Sequence, residues 1–119
     1  MVEILAVVKR SQATATKAEL ARIGCAGYSQ WSVLGRGKQR GLRNHNGHET
    51  VPFLPKVLFN LMVDEAQEAE TVEALMRANQ TGQYGDGKIF VLEVDAHYRI
   101  STGERLADSQ PLETARGCP

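Results

Sequence analysis

Two strand–helix–strand halves separated by a long polar loop predict an α+β domain. The expected architecture is one four-stranded antiparallel sheet with both helices on one face, the ferredoxin-like βαββαβ arrangement. Three observations carry this. VEILAVVK (2–9) and FLPKVLFNLMV (53–63) are aliphatic, β-branched runs of strand length. Each is followed by residues with helical apolar spacing. Each helix then leads to another strand-like run, YSQWSVL (28–34) in the first half and KIFVLEVDA (88–96) in the second.

The first strand has no turn former and reads as central. Ser11 is a candidate N-cap, Thr16, Leu20 and Ile23 form an apolar stripe, and Gly24 supplies a stop. Residues 28–34 then alternate, with Tyr28, Gln30, Ser32 and Leu34 on one face and Ser29, Trp31 and Val33 on the other. GRGKQRGLRNHNGHETVP (35–52) is glycine-rich and basic, with almost no apolar side chain. A loop that long inside a compact domain is more often functional than a plain connection. Pro55 falls near the start of the third strand, where a missing amide donor does least harm. Asp64 and Gln67 resemble a capping box, Val72, Leu75, Met76 and Asn79 continue a helical face, and Glu73 with Arg77 has solvent-side ion-pair spacing. TGQYGDG (81–87) is a turn, and STGERLADSQPLETARGCP (101–119) reads as polar and irregular.

At 119 residues the chain fits one domain with a single modest core. Lysine plus arginine balance aspartate plus glutamate at 14 each, so there is no net positive field to argue for nucleic-acid binding. MVEILAVVKR is apolar but short, without a basic n-region or small-residue cleavage site, and reads as the first strand of a cytoplasmic protein rather than a leader or membrane span. The two cysteines are far apart and form no CxxC pair. Cys25 reads as a small buried hydrophobe, and Cys118, beside the C-terminus, as an exposed residue able to form a bond between chains or to another part of its own chain, with candidate redox chemistry.

Two segments have the materials to grip an anion: GRGKQRG (35–41) and GDGK (85–88) each join flexible backbone amides to a cationic side chain. Either alone is a weak signal, since Gly-Asp-Gly is a common turn. No GxxxxGK[ST] sequence is present, which argues against a P-loop ATPase.

Taken together and in order, GRGKQRG, FLPK, TGQYGDGKIFV and RISTGE resemble the PII family of signal-transduction proteins. The resemblance covers about residues 1–104, with the family's T-loop at about 37–53 and an irregular tail at 105–119. It implies a homotrimer that binds adenine nucleotides in clefts between subunits. On that basis Gly85, Asp86, Gly87 and Lys88 surround the phosphates, and Arg99 reaches them from the adjacent subunit. Gly35, Gly37, Lys38 and Gln39 form the other wall, and Val7, Ser29 and Met62 meet the adenine end. In members that sense 2-oxoglutarate, the residue matching Gln39 helps bind magnesium with ATP, and the one matching Lys56 pairs with the effector carboxylate. The chemistry suits these roles: lysine offers a compact charge, arginine a planar fork, and Gln39 a neutral oxygen for a hard cation.

Three positions depart from the family pattern. Ser101 stands where a second arginine is usual. Its loss removes a charge-assisted contact worth roughly 1.5 to 3 kcal/mol, which erodes any preference for ATP over ADP or AMP. The T-loop region has no tyrosine between Gly35 and Lys56, so uridylylation of a T-loop tyrosine is excluded. Asn60 replaces a commonly acidic residue. His45 and His48 are too few to read as a metal site and fit a solvated loop.

The expected function is therefore a noncatalytic sensor. Adenine nucleotide (ADP or AMP, and ATP with magnesium) and a small anionic effector order the T-loop, which docks on a target transporter or enzyme. For bicarbonate the contacts are Gly37, Arg40, Gly41 and Lys56, while Gln39 with Lys56 serves 2-oxoglutarate. Arg36, Arg40 and Arg43 supply partner contacts. Ser101 and the cysteine-ending tail favour a bicarbonate-linked branch, whereas GRGKQRGL and ANQTG look most like nitrogenase-associated members. Two readings from other classes are weaker: a slow nucleotide hydrolase, for which no activated nucleophile is visible, and a metal-handling protein, which lacks paired cysteines.

Overall fold

The computed structural model describes residues 1–25, 27–36 and 53–107, together with the backbone of 42–43 and 49–51. Strand β1 is Val2–Lys9, helix α1 is Ala13–Arg22 and β2 is Ser29–Gly35. Two short strands follow, β3 (Leu42–Arg43) and β4 (Glu49–Val51), then β5 (Leu54–Val63), helix α2 (Glu68–Asn79), β6 (Gly87–Glu93), β7 (His97–Arg99) and β8 (Glu104–Leu106).

The main sheet has the order β2-β5-β1-β6, all neighbours antiparallel. Each helix carries the chain past an intervening strand, which is the ferredoxin-like α+β fold expected from the two halves. In β1 buried residues alternate with half-buried ones, so Val2, Ile4, Ala6 and Val8 face the helices. Val57, Phe59, Leu61 and Val63 of β5 join them, and Leu20, Ile23, Ala74 and Leu75 close the core from above. Tyr28 packs edge-on against Phe59 with ring centroids 5.6 Å apart. The odd-numbered side of β1 belongs to the opposite sheet face, which no described element covers.

The α1 stripe of Thr16, Leu20 and Ile23 is buried as its spacing predicts. On α2 the buried face is rotated: Thr71, Ala74, Leu75 and Asn79 are inside, whereas Met76 is 49% exposed. Asn79 donates to Thr16 Oγ1 at 3.0 Å and to the Leu75 carbonyl at 2.8 Å, which ties the two helices through a buried polar link.

Several local expectations are corrected. Neither Ser11 nor Asp64 caps a helix through its side chain. A 3-10 turn precedes each helix, and Gln12 and Gln67 become the N-cap residues without side-chain caps. The Asp64 carbonyl accepts from the Gln67 amide at 2.9 Å, so backbone replaces the capping box. Arg77 bonds Glu19 of α1 at 3.0 Å rather than Glu73, because the neighbouring helix brings a carboxylate already held by Arg22.

Residues 97–106, in part assigned to the irregular tail, form the β7–β8 hairpin, with Gly103 at φ 73° in its turn. The 35–52 stretch contains the β3–β4 pairing instead of being structureless throughout. Cys25 is buried, but its sulfur is disulfide-bonded rather than a simple thiol. A disulfide depends on tertiary proximity, which no local sequence pattern records. Cys118 lies outside the described residues.

Candidate functional site

The 81–88 segment leaves α2 and enters β6 through a turn held by its own aspartate. Asp86 Oδ2 accepts from the Thr81 amide at 2.7 Å and the Gly82 amide at 2.9 Å. Its Oδ1 accepts from the Thr81 hydroxyl and faces the Lys9 ammonium at 3.7 Å. The Thr81 hydroxyl also accepts from the Gln83 amide at 3.3 Å. The Thr81 hydroxyl and amide, with smaller help from Gly82 and Lys9, push the Asp86 carboxyl down to about 2. Asp86 is therefore a fixed charge inside the turn.

Gly82, Gly85 and Gly87 have φ of 83°, 91° and 120°, a region that L side chains rarely enter. Gly87 has a second constraint. A Cβ there would lie 1.9 Å from the Val7 carbonyl oxygen, so the turn seats on β1 only because this residue has no side chain.

Lys56 braces the same turn from β5. Its Nζ donates to the Gly85 carbonyl at 3.1 Å. Lys9 and Lys56 are cross-strand partners, and Lys56 is also paired with Val33 of β2. Burial, then the nearby Lys9 charge, push the Lys56 ammonium down from its ordinary value, while Asp86 opposes the change. At the end of β2, a Cβ on Gly35 would meet Lys56 Cγ at 3.1 Å, so the start of the long loop touches the stem of this lysine.

The structure thus gathers Gly35, Lys56, Gly85, Asp86 and Gly87 at one end of the main sheet, and register places Lys88 opposite Val7. Ser29 and Met62 lie toward the other end: Met62 is six strand residues, about 20 Å, from Lys56, and Ser29 pairs with Asn60. Arg99 ends β7 and Ser101 lies in the hairpin turn, on a separate two-stranded sheet. Gly37, Lys38, Gln39, Arg40 and Gly41, and likewise His45 and His48, fall outside the described residues. Asn60 donates to Glu3 at 2.6 Å on the uncovered sheet face, where an acidic residue would instead repel it.

Lys9 and Thr81 were missed by the sequence reading. Lys9 looked like the polar end of a strand, and its relation to Asp86 depends on the β1–β5–β6 register. Thr81 and Asp86 are five residues apart, and that spacing was the only available signal. Among the described residues no group of three or more His, Cys, Asp or Glu is placed to hold a metal ion. None of the described helices is long and apolar enough to cross a membrane.

The family model for nitrogen regulatory protein P-II matches residues 1–104. The chain is 39% identical over 111 residues to the nitrogen regulatory protein P-II of Rhodospirillum rubrum, covering 92% of this chain and 99% of that protein. It is 38% identical over 111 residues to the Pasteurella multocida protein of the same name, with the same coverage. A nitrogen fixation nifHD region glnB-like protein 2 from Methanococcus maripaludis is 34% identical over 116 residues, covering 88% of this chain and 96% of that one. With the ferredoxin-like sheet and a family match over residues 1–104, the chain belongs to the P-II family of regulatory proteins.

Proposed function

We propose that the chain is a noncatalytic sensor that binds adenine nucleotide beside the 81–88 turn together with a small anionic effector. The observation that carries this reading is the gathering of the braced glycine turn, Lys56 and the root of the long loop at one end of one sheet face. Lysine charge and backbone amides are the groups that hold phosphate oxygens. The cleft is completed by a second copy in a homotrimer, whose Arg99 reaches the phosphates. Because Lys56 touches both the turn and the loop root, ligands there change the free energy of ordering the loop, and the ordered loop docks on a transporter or enzyme.

Ser101 favours ADP or AMP over ATP and leaves room for bicarbonate near Gly37, Arg40, Gly41 and Lys56. A second reading, regulation of nitrogen metabolism by MgATP and 2-oxoglutarate through Gln39 and Lys56, is favoured by the names of the nitrogen-related relatives. Calorimetric titration with ATP, ADP and AMP, each with and without bicarbonate and 2-oxoglutarate, separates the two. Tighter ADP or AMP binding with bicarbonate supports the first reading, and magnesium-dependent coupling of ATP to 2-oxoglutarate supports the second. No adenine-nucleotide binding would falsify both.

A further inference from the structure

We propose that Asp86 is a positioning residue of the phosphate turn and not a ligand of the nucleotide or its metal. This rests on the nucleotide reading above and assigns the turn's only carboxylate a different task from its glycines. A carboxylate accepts in about four directions. Asp86 uses two on the Thr81 and Gly82 amides, one on the Thr81 hydroxyl, and turns the remaining side to Lys9. Nothing is left for magnesium, and the charge that would repel a phosphate is directed at the start of the turn and balanced by a lysine.

The same bonds consume the Thr81 and Gly82 amides, so phosphate must be met by the later part of the turn and by Lys88. That later part is anchored independently: the Gly85 carbonyl is held by Lys56, and Gly87 is seated against Val7. Asp86 lies between these anchors. It fixes the path of the chain from Thr81 to Gly87 before any ligand arrives, which removes ordering entropy from the binding step. Loss of this carboxylate therefore acts on phosphate recognition first, because Ser29 and Met62, two of the three residues assigned to the adenine end, lie at the other end of the sheet and only Val7 touches this turn.

The experiment compares the full-length chain with Asp86→Ala and Asp86→Asn by calorimetric titration with ADP and with adenosine, beside thermal melts. Asp86→Ala is expected to weaken ADP binding about tenfold, equivalent to about 1.4 kcal/mol, with adenosine affinity changed less than about twofold. Asp86→Asn, which keeps an acceptor for the amides but loses the charge facing Lys9, falls between. If Asp86→Ala does not fold, Lys9→Met tests the same bracing from the other partner and is expected to weaken ADP more than adenosine. Equal losses for ADP and adenosine, or an Asp86→Ala chain that binds ADP as the wild type does, overturn the inference alone. A wild-type chain that takes up no ADP overturns the nucleotide reading and this inference with it.

Discussion

At φ 120° and with the Val7 carbonyl oxygen 1.9 Å from where a Cβ would stand, Gly87 admits no side chain unless β1 and β6 part locally. Gly82 and Gly103 also have positive φ, yet a Cβ at either meets nothing within 4 Å. Gly87→Ala is therefore expected to cost about 2 to 4 kcal/mol, against about 1 to 2 for Gly82→Ala, measured by urea denaturation. Equal losses would show that backbone strain alone, and not the contact with β1, sets the requirement. Asp86 has a pH signature of its own. Its carboxyl is lowered to about 2 from the ordinary 3.8, so the stabilisation it gives is complete above the ordinary value and is lost as pH falls through about 2. The stability gap between the wild type and Asp86→Asn is expected to close over that window, and a gap independent of pH would rule out the carboxylate as its source.

The strands and helices were legible because their apolar periods differ and agree with the burial that tertiary packing selects. β1 alternates strictly, and Thr16, Leu20 and Ile23 fall on one helical face. What was not legible depends on neighbours. The inward turn of α2 is fixed by α1, which draws Asn79 to Thr16 and Arg77 to Glu19. The β7–β8 hairpin was lost to its polar composition, since Tyr98 and Ile100 are exposed and give no burial signal. For the site, the glycines and lysines of the turn were visible as residue types. The bracing by Lys9 was not, because it needs the cross-strand register. The α1–α2 link gives a direct test: Asn79→Ala is expected to lower stability by about 1 to 3 kcal/mol in urea denaturation, by removing two bonds made in a buried setting. An effect near zero would mean that its second amide atom, the Oδ1 that lacks a hydrogen-bond partner, offsets what Nδ2 contributes.

The helices cover only one face of the four-stranded sheet. On the other, register places Leu5 opposite Phe90, Val7 opposite Leu58 and Leu58 opposite Trp31, with Leu92 opposite Glu3 beyond. Phe90 is 50% exposed, Trp31 49% and Leu92 44%. A contiguous apolar face of this kind favours self-association, and area removed from water contributes about 25 cal/mol per Å². In the proposed assembly a second copy meets this face and brings its Arg99 to the cleft, since Arg99 lies on a hairpin separate from the sheet that carries Lys56. Phe90→Glu places a charge on that face, on the edge strand β6, while leaving the helix-side core untouched. The expected outcome is a fall from the mass of three chains to that of one in size-exclusion chromatography with light scattering, with far-UV circular dichroism preserved and ADP binding lost together with assembly. A Phe90→Glu chain that remains trimeric would move the interface elsewhere, and one that is monomeric yet binds ADP with wild-type affinity would place the whole nucleotide cleft within a single chain.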